Sequence, residues 1–169
     1  DHAMMMLLAA GRRMKLMNRM AAEGNWWHGR PILSEVPRLY GQTLGLLAFG
    51  NVSRCMARRA KAFGMNIISH DPYLSELTIS ESGVEPVSFN ELLERSDYLS
   101  IHAPHNEDTH HIIDASALAK MPNHSVLINS ARGPLIDENA LIDALQKGEI
   151  AAAGLDVLEK EPPEKDNPL

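Results

Sequence analysis

From Thr43 onward the chain alternates short apolar runs with stretches in which apolar residues recur every three or four positions. The first run, Thr43-Leu44-Gly45-Leu46-Leu47, breaks at Gly50 and continues as a helical pattern through Ala62, which predicts a strand, a tight turn and a helix. Asn66 to His70 predicts a second strand and Glu85 to Val87 a third; Tyr98 to His102, Ser125 to Asn129 and Ile150 to Val157 predict the rest. Between them, Ser88 and Glu91 match a capping box for a helix ending near Arg95. Asp114 and Ser116 open a short helix through Met121, and Asp137-Glu138 load the first turn of a helix that runs through Lys147 to a C-cap at Gly148. Strands alternating with helices at these lengths predict an α/β fold with a doubly wound parallel sheet. Right-handed crossovers would gather the ends of its strands along one ligand-bearing edge.

The segment ahead of the strands reads differently. Ala3 to Ala22 predicts one long helix, apolar around much of its circumference, closed by Gly24. Asn25 to Pro37 predicts an irregular arm, with Trp26 and Trp27 either pinning it onto its own domain, the default, or meeting a partner subunit. The apolar opening is too short to span a bilayer and carries its charges after the apolar part, so it does not read as a signal peptide. At 169 residues the chain fits one domain, and its net charge of −6 leaves no footprint for nucleic acid or an anionic membrane. Cys55 is the single cysteine, which excludes a disulfide framework and fits a reducing, cytoplasmic setting. Its place among Met56, Ala57 and Ala60 reads as a buried small hydrophobe. The absence of an initiator methionine and the stop at Pro168-Leu169 suggest a piece of a longer protein.

The turn at Gly50 carries the chemistry. A strand-to-helix turn leaves the first helical N–H groups aimed past the strand's carboxyl end, where a pyrophosphate can accept from them. Of the glycines in a G-x-G-x-x-G fingerprint only Gly50 stands, with Ala48 and Ser53 at the outer positions. Asp71 follows the second strand about twenty residues on, where a carboxylate accepts from the ribose hydroxyls of NAD and repels the 2′-phosphate of NADP. The bland alternative is a strand-turn-helix with Asp71 as a turn acid before Pro72. Along the same edge fall His102 with Pro104, Ser130 with Arg132, and Asp156. Arg132 is a lone cation beside the nucleotide cleft and can hold a carboxylate in a two-pronged contact; its alternative is a surface arginine pairing Asp137 or Glu138. His102-x-x-His105 and His110-His111 invite a zinc reading, but no helix anchors their spacing, and no metal is expected.

The residues from Val126 through Ser130-Ala131-Arg132-Gly133-Pro134 to Leu141, with Ala153-Gly154-Leu155-Asp156-Val157 and Glu161-Pro162, closely resemble the D-isomer-specific 2-hydroxyacid dehydrogenases. The middle, Arg59 to Gly64 and Asp71 to Ser75, is most similar to the branch of phosphoglycerate dehydrogenases and C-terminal-binding-protein corepressors. The resemblance runs nearly end to end. It implies a Rossmann-like nucleotide domain whose second, substrate domain is largely absent from this chain: an entry helix and aromatic arm over 1–40, the NAD-binding part over 41–157 and a truncated exit segment over 158–169.

By the same resemblance, Gly50, Asn51 and Val52 face the pyrophosphate, Asp71 the ribose, and Pro104 and Thr109 the adenosine side. Ser130 and Ala131 also bind the cofactor, NAD, and Asp156 meets the nicotinamide amide. Arg132 grips the carboxylate of a small 2-oxo acid and polarises its carbonyl. Glu161 orients an acid/base histidine, expected after Asn167-Pro168-Leu169, where the sequence stops. The resemblance therefore implies the NAD-binding domain of a D-2-hydroxyacid oxidoreductase, inactive as this piece alone. A homodimer is implied as well, formed through the first helix and the tryptophan arm. The alternative is an NAD-responsive dimerisation module of corepressor type.

Overall fold

A strand buried on both faces needs apolar side chains in both directions, and the short runs supply them. The computed structural model describes residues 1–169, apart from the side chains at positions 30, 33 and 35. The strands are β1 (Thr43–Leu47), β2 (Asn66–His70), β3 (Glu85–Pro86), β4 (Tyr98–Ile101), β5 (Val126–Asn129) and β6 (Ala152–Leu155). They form one six-stranded sheet in the order β3-β2-β1-β4-β5-β6. Every neighbouring pair is parallel.

The helices are α1 (His2–Gly11), α2 (Met14–Ala22), α3 (Trp26–Glu35), α4 (Asn51–Ala62), α5 (Glu76–Ser80), α6 (Phe89–Arg95), α7 (Ala115–Leu118) and α8 (Glu138–Lys147). Consecutive strand residues feed opposite cores: Ile67 and Ile128 pack with Met4, Leu7, Met56 and Ala60 of α1 and α4. Ile68 and Leu127 pack with Leu92, Leu93, Leu118 and Leu141 of α6, α7 and α8. Fully burying one such leucine stabilises the fold by roughly 1.5–3 kcal/mol. Gly45 lets α6 lie close on β1, since a Cβ there would stand 2.0 Å from Ser96 Oγ. The sheet order reverses at β1, between β2 and β4, and this opens a crevice at the carboxyl ends of those strands.

Local signals set several boundaries as expected. Ser88 and Glu91 form the reciprocal capping box of α6, Asp114 and Asp137 cap α7 and α8, and Gly148 ends α8 in a left-handed conformation. The first forty residues depart from expectation. The single helix over Ala3 to Ala22 is two helices, broken where Arg13 turns left-handed at φ 50°; just before the break the Tyr98 ring lies so near Gly11 that a Cβ there would stand 2.7 Å from it. Only α1 lies on the sheet, against β5 and β6; α2 buries none of its residues. The expected irregular arm is the helix α3, which tolerates Pro31 inside it. Trp26 and Trp27 at its start are 65% and 70% exposed. The short helix α5 is capped by Ser75, whose side chain accepts from the Thr78 N–H, and the apolar pattern had not marked it.

Candidate functional site

The β1–α4 turn stands at the crevice and is built from backbone. Ala48 extends the ladder, its N–H donating to His70 O at 2.8 Å. The Phe49 N–H donates to Asp71 Oδ2 at 2.8 Å, so the carboxylate ending β2 also braces the turn beside it. Gly50 is the N-cap of α4, no side chain caps the helix, and the N-terminal amides of Asn51 and Val52 face outward at exposed positions. A Cβ on Gly50 would meet no protein atom within 4 Å. The space before these donors is open to a group of pyrophosphate size, in the positive end of the helix dipole.

Ala48 occupies the first-glycine position with φ 69°, a left-handed backbone conformation that costs a residue with a Cβ on the order of 1–3 kcal/mol. Ser53, at the third-glycine position, is fully buried, and its hydroxyl donates to the Ala48 carbonyl at 2.6 Å.

Two clefts flank the turn and share Asn51. One, of about 390 Å³, lies between Gly50, Asp71, Tyr73, Pro104 and Thr109. Asp71 is half-buried there, and its Oδ1 accepts from the Tyr73 N–H at 2.9 Å. Each carboxylate oxygen keeps a lone pair beyond its backbone bond. Thr109 closes the loop after β4, donating to Pro104 O at 2.7 Å, while its own N–H donates to Asn106 Oδ1 at 3.0 Å. The other cleft, of about 450 Å³, runs past Val52 and Cys55 to Ser130, His2 and Ala3. Cys55 is half-buried on its wall rather than in the core; its sulfur accepts from Arg58 Nη2 at 3.2 Å, and that bond lowers the thiol pKa.

On the far side, a buried asparagine shapes the loop that carries the arginine. Asn129 Oδ1 accepts from the Ala131 N–H at 3.0 Å, and its Nδ2 donates to Arg132 O at 2.9 Å. Arg132 is exposed, with Nη1 on the carbonyl of its neighbour Ala131. It pairs neither acid suggested for it: Asp137 caps α8, and Glu138 accepts from the Glu159 N–H and Asn167 Nδ2. Gly133 brings this loop against the exit segment, where a Cβ would stand 1.9 Å from Leu158 O. Glu161 in that segment is exposed, its Oε1 accepting from the Leu158 N–H at 2.9 Å.

Three participants had no signal in spacing. Asn129 reads as one more strand residue. Arg54 lines the Asp71 cleft, its guanidinium 5.5 Å from the Phe49 ring centroid, though it reads as a helix-surface cation. His2 Nε2 stands 3.1 Å from Asp156 Oδ1 across almost the whole chain length. At the end of β4, burial pushes the His102 pKa down to about 4, and its Nε2 lies 3.0 Å from Ser100 Oγ.

Residues 4–169 match the model of the D-isomer-specific 2-hydroxyacid dehydrogenase NAD-binding domain. The chain is 42% identical to a glyoxylate reductase of Korarchaeum cryptofilum, over all of this chain and 51% of that protein. It is 44% identical to a D-3-phosphoglycerate dehydrogenase of Methanocaldococcus jannaschii, over 97% of this chain and 31% of that protein. A Rhodotorula graminis D-mandelate dehydrogenase structure superposes with a TM-score of 0.91 at 32% identity, over 99% of this chain and 50% of the other. The chain thus spans about half or less of the length of these relatives. The relatives' names offer no support for the corepressor-type alternative. A reversed parallel sheet, an open glycine turn with an acid at the next strand end, and a match over nearly every residue agree: this chain belongs to the D-isomer-specific 2-hydroxyacid dehydrogenase family, as its Rossmann-like NAD-binding domain.

Proposed function

We propose that this domain serves an oxidoreductase that transfers a hydride between NAD(H) and a small D-2-hydroxy acid or 2-oxo acid. One observation carries the reading most directly: the uncapped N-terminus of α4 opens onto the cleft that holds the Asp71 carboxylate. Gly50, Asn51 and Val52 would receive the pyrophosphate, Asp71 the ribose hydroxyls, and Pro104 and Thr109 the adenosine side. Ser130, Ala131 and Asp156 would hold the nicotinamide end. NAD, when bound, supplies or accepts the hydride. Arg132 holds the acid's carboxylate and draws electron density from the adjoining carbonyl. In reduction the carbonyl carbon takes the hydride and its oxygen takes a proton from the histidine that Glu161 orients in this family. Glyoxylate reductase and phosphoglycerate dehydrogenase relatives support a small 2-oxo or 2-hydroxy acid as the partner.

A homodimer is the assembly we favour, joined along α1 to α3, where Met5, Met14 and Trp26 are roughly half to two-thirds exposed. A cytoplasmic location fits the single free cysteine, and none of the described helices is long and apolar enough to cross a membrane.

Calorimetric titration with NADH and with NADPH, on the chain and on Asp71→Ala, tests the cofactor reading. NADH should bind more tightly than NADPH, and the variant should lose most of that preference, with roughly tenfold weaker NADH binding. Equal binding of the two cofactors by the unsubstituted chain would remove Asp71 from the ribose.

A further inference from the structure

The β1–α4 turn depends on a residue that is poorly suited to its conformation. Ala48 carries a Cβ at φ 69°, and left to itself its backbone favours the extended or right-handed regions. Its N–H bond to His70 O belongs to the β-ladder and would form with any residue there. Its carbonyl is held differently. The Ser53 hydroxyl reaches back from the first turn of α4 and donates to that oxygen at 2.6 Å, from a position with no exposed surface. A rotation of Ala48 out of the left-handed region swings this carbonyl away and re-aims the peptide planes that follow, those of Phe49 and Gly50. Those planes set where the amides at the head of α4 point.

We propose that Ser53 is the positioning residue of the dinucleotide cradle. Its hydroxyl clamps the Ala48 carbonyl and keeps the turn in the one shape that presents the Gly50, Asn51 and Val52 amides to a diphosphate. The inference rests on the NAD reading above and deepens it. Alanine at 48 and serine at 53 then form a coupled pair: a glycine at 48 adopts this conformation without penalty and needs no clamp. The distinguishing property is conditional, since removing the hydroxyl matters only while residue 48 has a Cβ.

A double-mutant cycle on the full chain reads this directly. NADH affinity from fluorescence titration, thermal midpoint, and the Ala48 ¹³Cα and ¹³Cβ chemical shifts, which report φ, are measured for the unsubstituted chain and Ser53→Ala. Affinity and midpoint are also measured for Ala48→Gly and the double variant. Ser53→Ala should weaken NADH binding about tenfold and move the Ala48 shifts off their left-handed values. Ala48→Gly alone should bind as tightly as the unsubstituted chain or more so, and the double variant should lie within about twofold of it. Equal loss of affinity in both backgrounds, or a Ser53→Ala variant that loses only thermal midpoint, overturns the clamp while leaving the cofactor reading standing. Failure of the unsubstituted chain to bind NADH overturns both. Should Ser53→Ala not fold, the Ala48→Gly pair still decides, because weaker binding in the glycine background contradicts the proposal.

Discussion

The two sides of the functional edge are held by different means. On the β1–β2 side the groups that would meet the dinucleotide are backbone amides and one carboxylate, fixed by the ladder, by Asp71 and by the packing of α4. On the β5–β6 side the groups proposed to handle the acid are exposed ends of flexible side chains. Arg132 rests on the carbonyl of the residue before it, and Glu161 on an amide three residues away. Backbone donors inside a folded turn are already aimed, whereas a long exposed side chain gives up rotamer freedom each time it is fixed. On the proposed reading, the dinucleotide side would be shaped before its ligand arrives, and the acid side would take its final geometry from contacts made later.

The largest effect should come from the seam between them. His102 ends β4, and its folded pKa of about 4 lies below the ordinary 6.5. Between those values the unfolded chain binds a proton that the folded chain refuses, so stability falls as pH drops through 6.5 and levels off below about 4. A loss of about 3 kcal/mol is expected between pH 7 and pH 4. Urea unfolding at both pH values should show it in the unsubstituted chain and far less of it in His102→Gln; parallel losses in the two proteins would refute the assignment.

A second substitution separates binding from folding on the β1–β2 side. Gly50→Val places its side chain where no protein atom lies within 4 Å. NADH should bind about 100-fold more weakly, near 2.7 kcal/mol, with the thermal midpoint unchanged. A lowered midpoint with intact affinity would mean that the open space serves packing rather than a ligand. The smallest effect should come from the opposite side. Arg132→Ala removes a cation that, among the described residues, bonds only its neighbour's carbonyl, so stability should move by no more than about 0.5 kcal/mol. NADH affinity should stay within about twofold, and a larger loss of affinity would show that the two sides are not independent.

Elements whose causes lie within one turn of chain are legible in the sequence. The capping box at Ser88 and Glu91, the acidic start and glycine stop of α8, and the β1–turn–α4 unit all belong to this class. The failures share a different cause. The break between α1 and α2 falls at Arg13, a non-glycine residue in the left-handed region that no local signal marks, beside a Gly11 held close to Tyr98 from far along the chain. The helix α3 forms despite Pro31, which local rules treat as a breaker. At the site, Asp71 and the Ser130–Arg132 loop could be found because strand ends are predictable and their polar residues conspicuous. The wiring behind them was hidden: Asn129 ends the β5 run and reads as one more strand residue, and His2 meets Asp156 only once α1 packs on β6.

The packing of α1 on the last strands also bears on how the molecule is made. The apolar face of α1, with Ala3, Met4, Met6 and Leu7, reaches its full burial when β5 and β6 are in place, and these begin more than a hundred residues later. At roughly 5–20 residues per second of synthesis, that face stays uncovered for on the order of ten seconds. Among the described elements α1 thus waits longest for the strands that cover it, and its burial is among the last steps that complete this sheet.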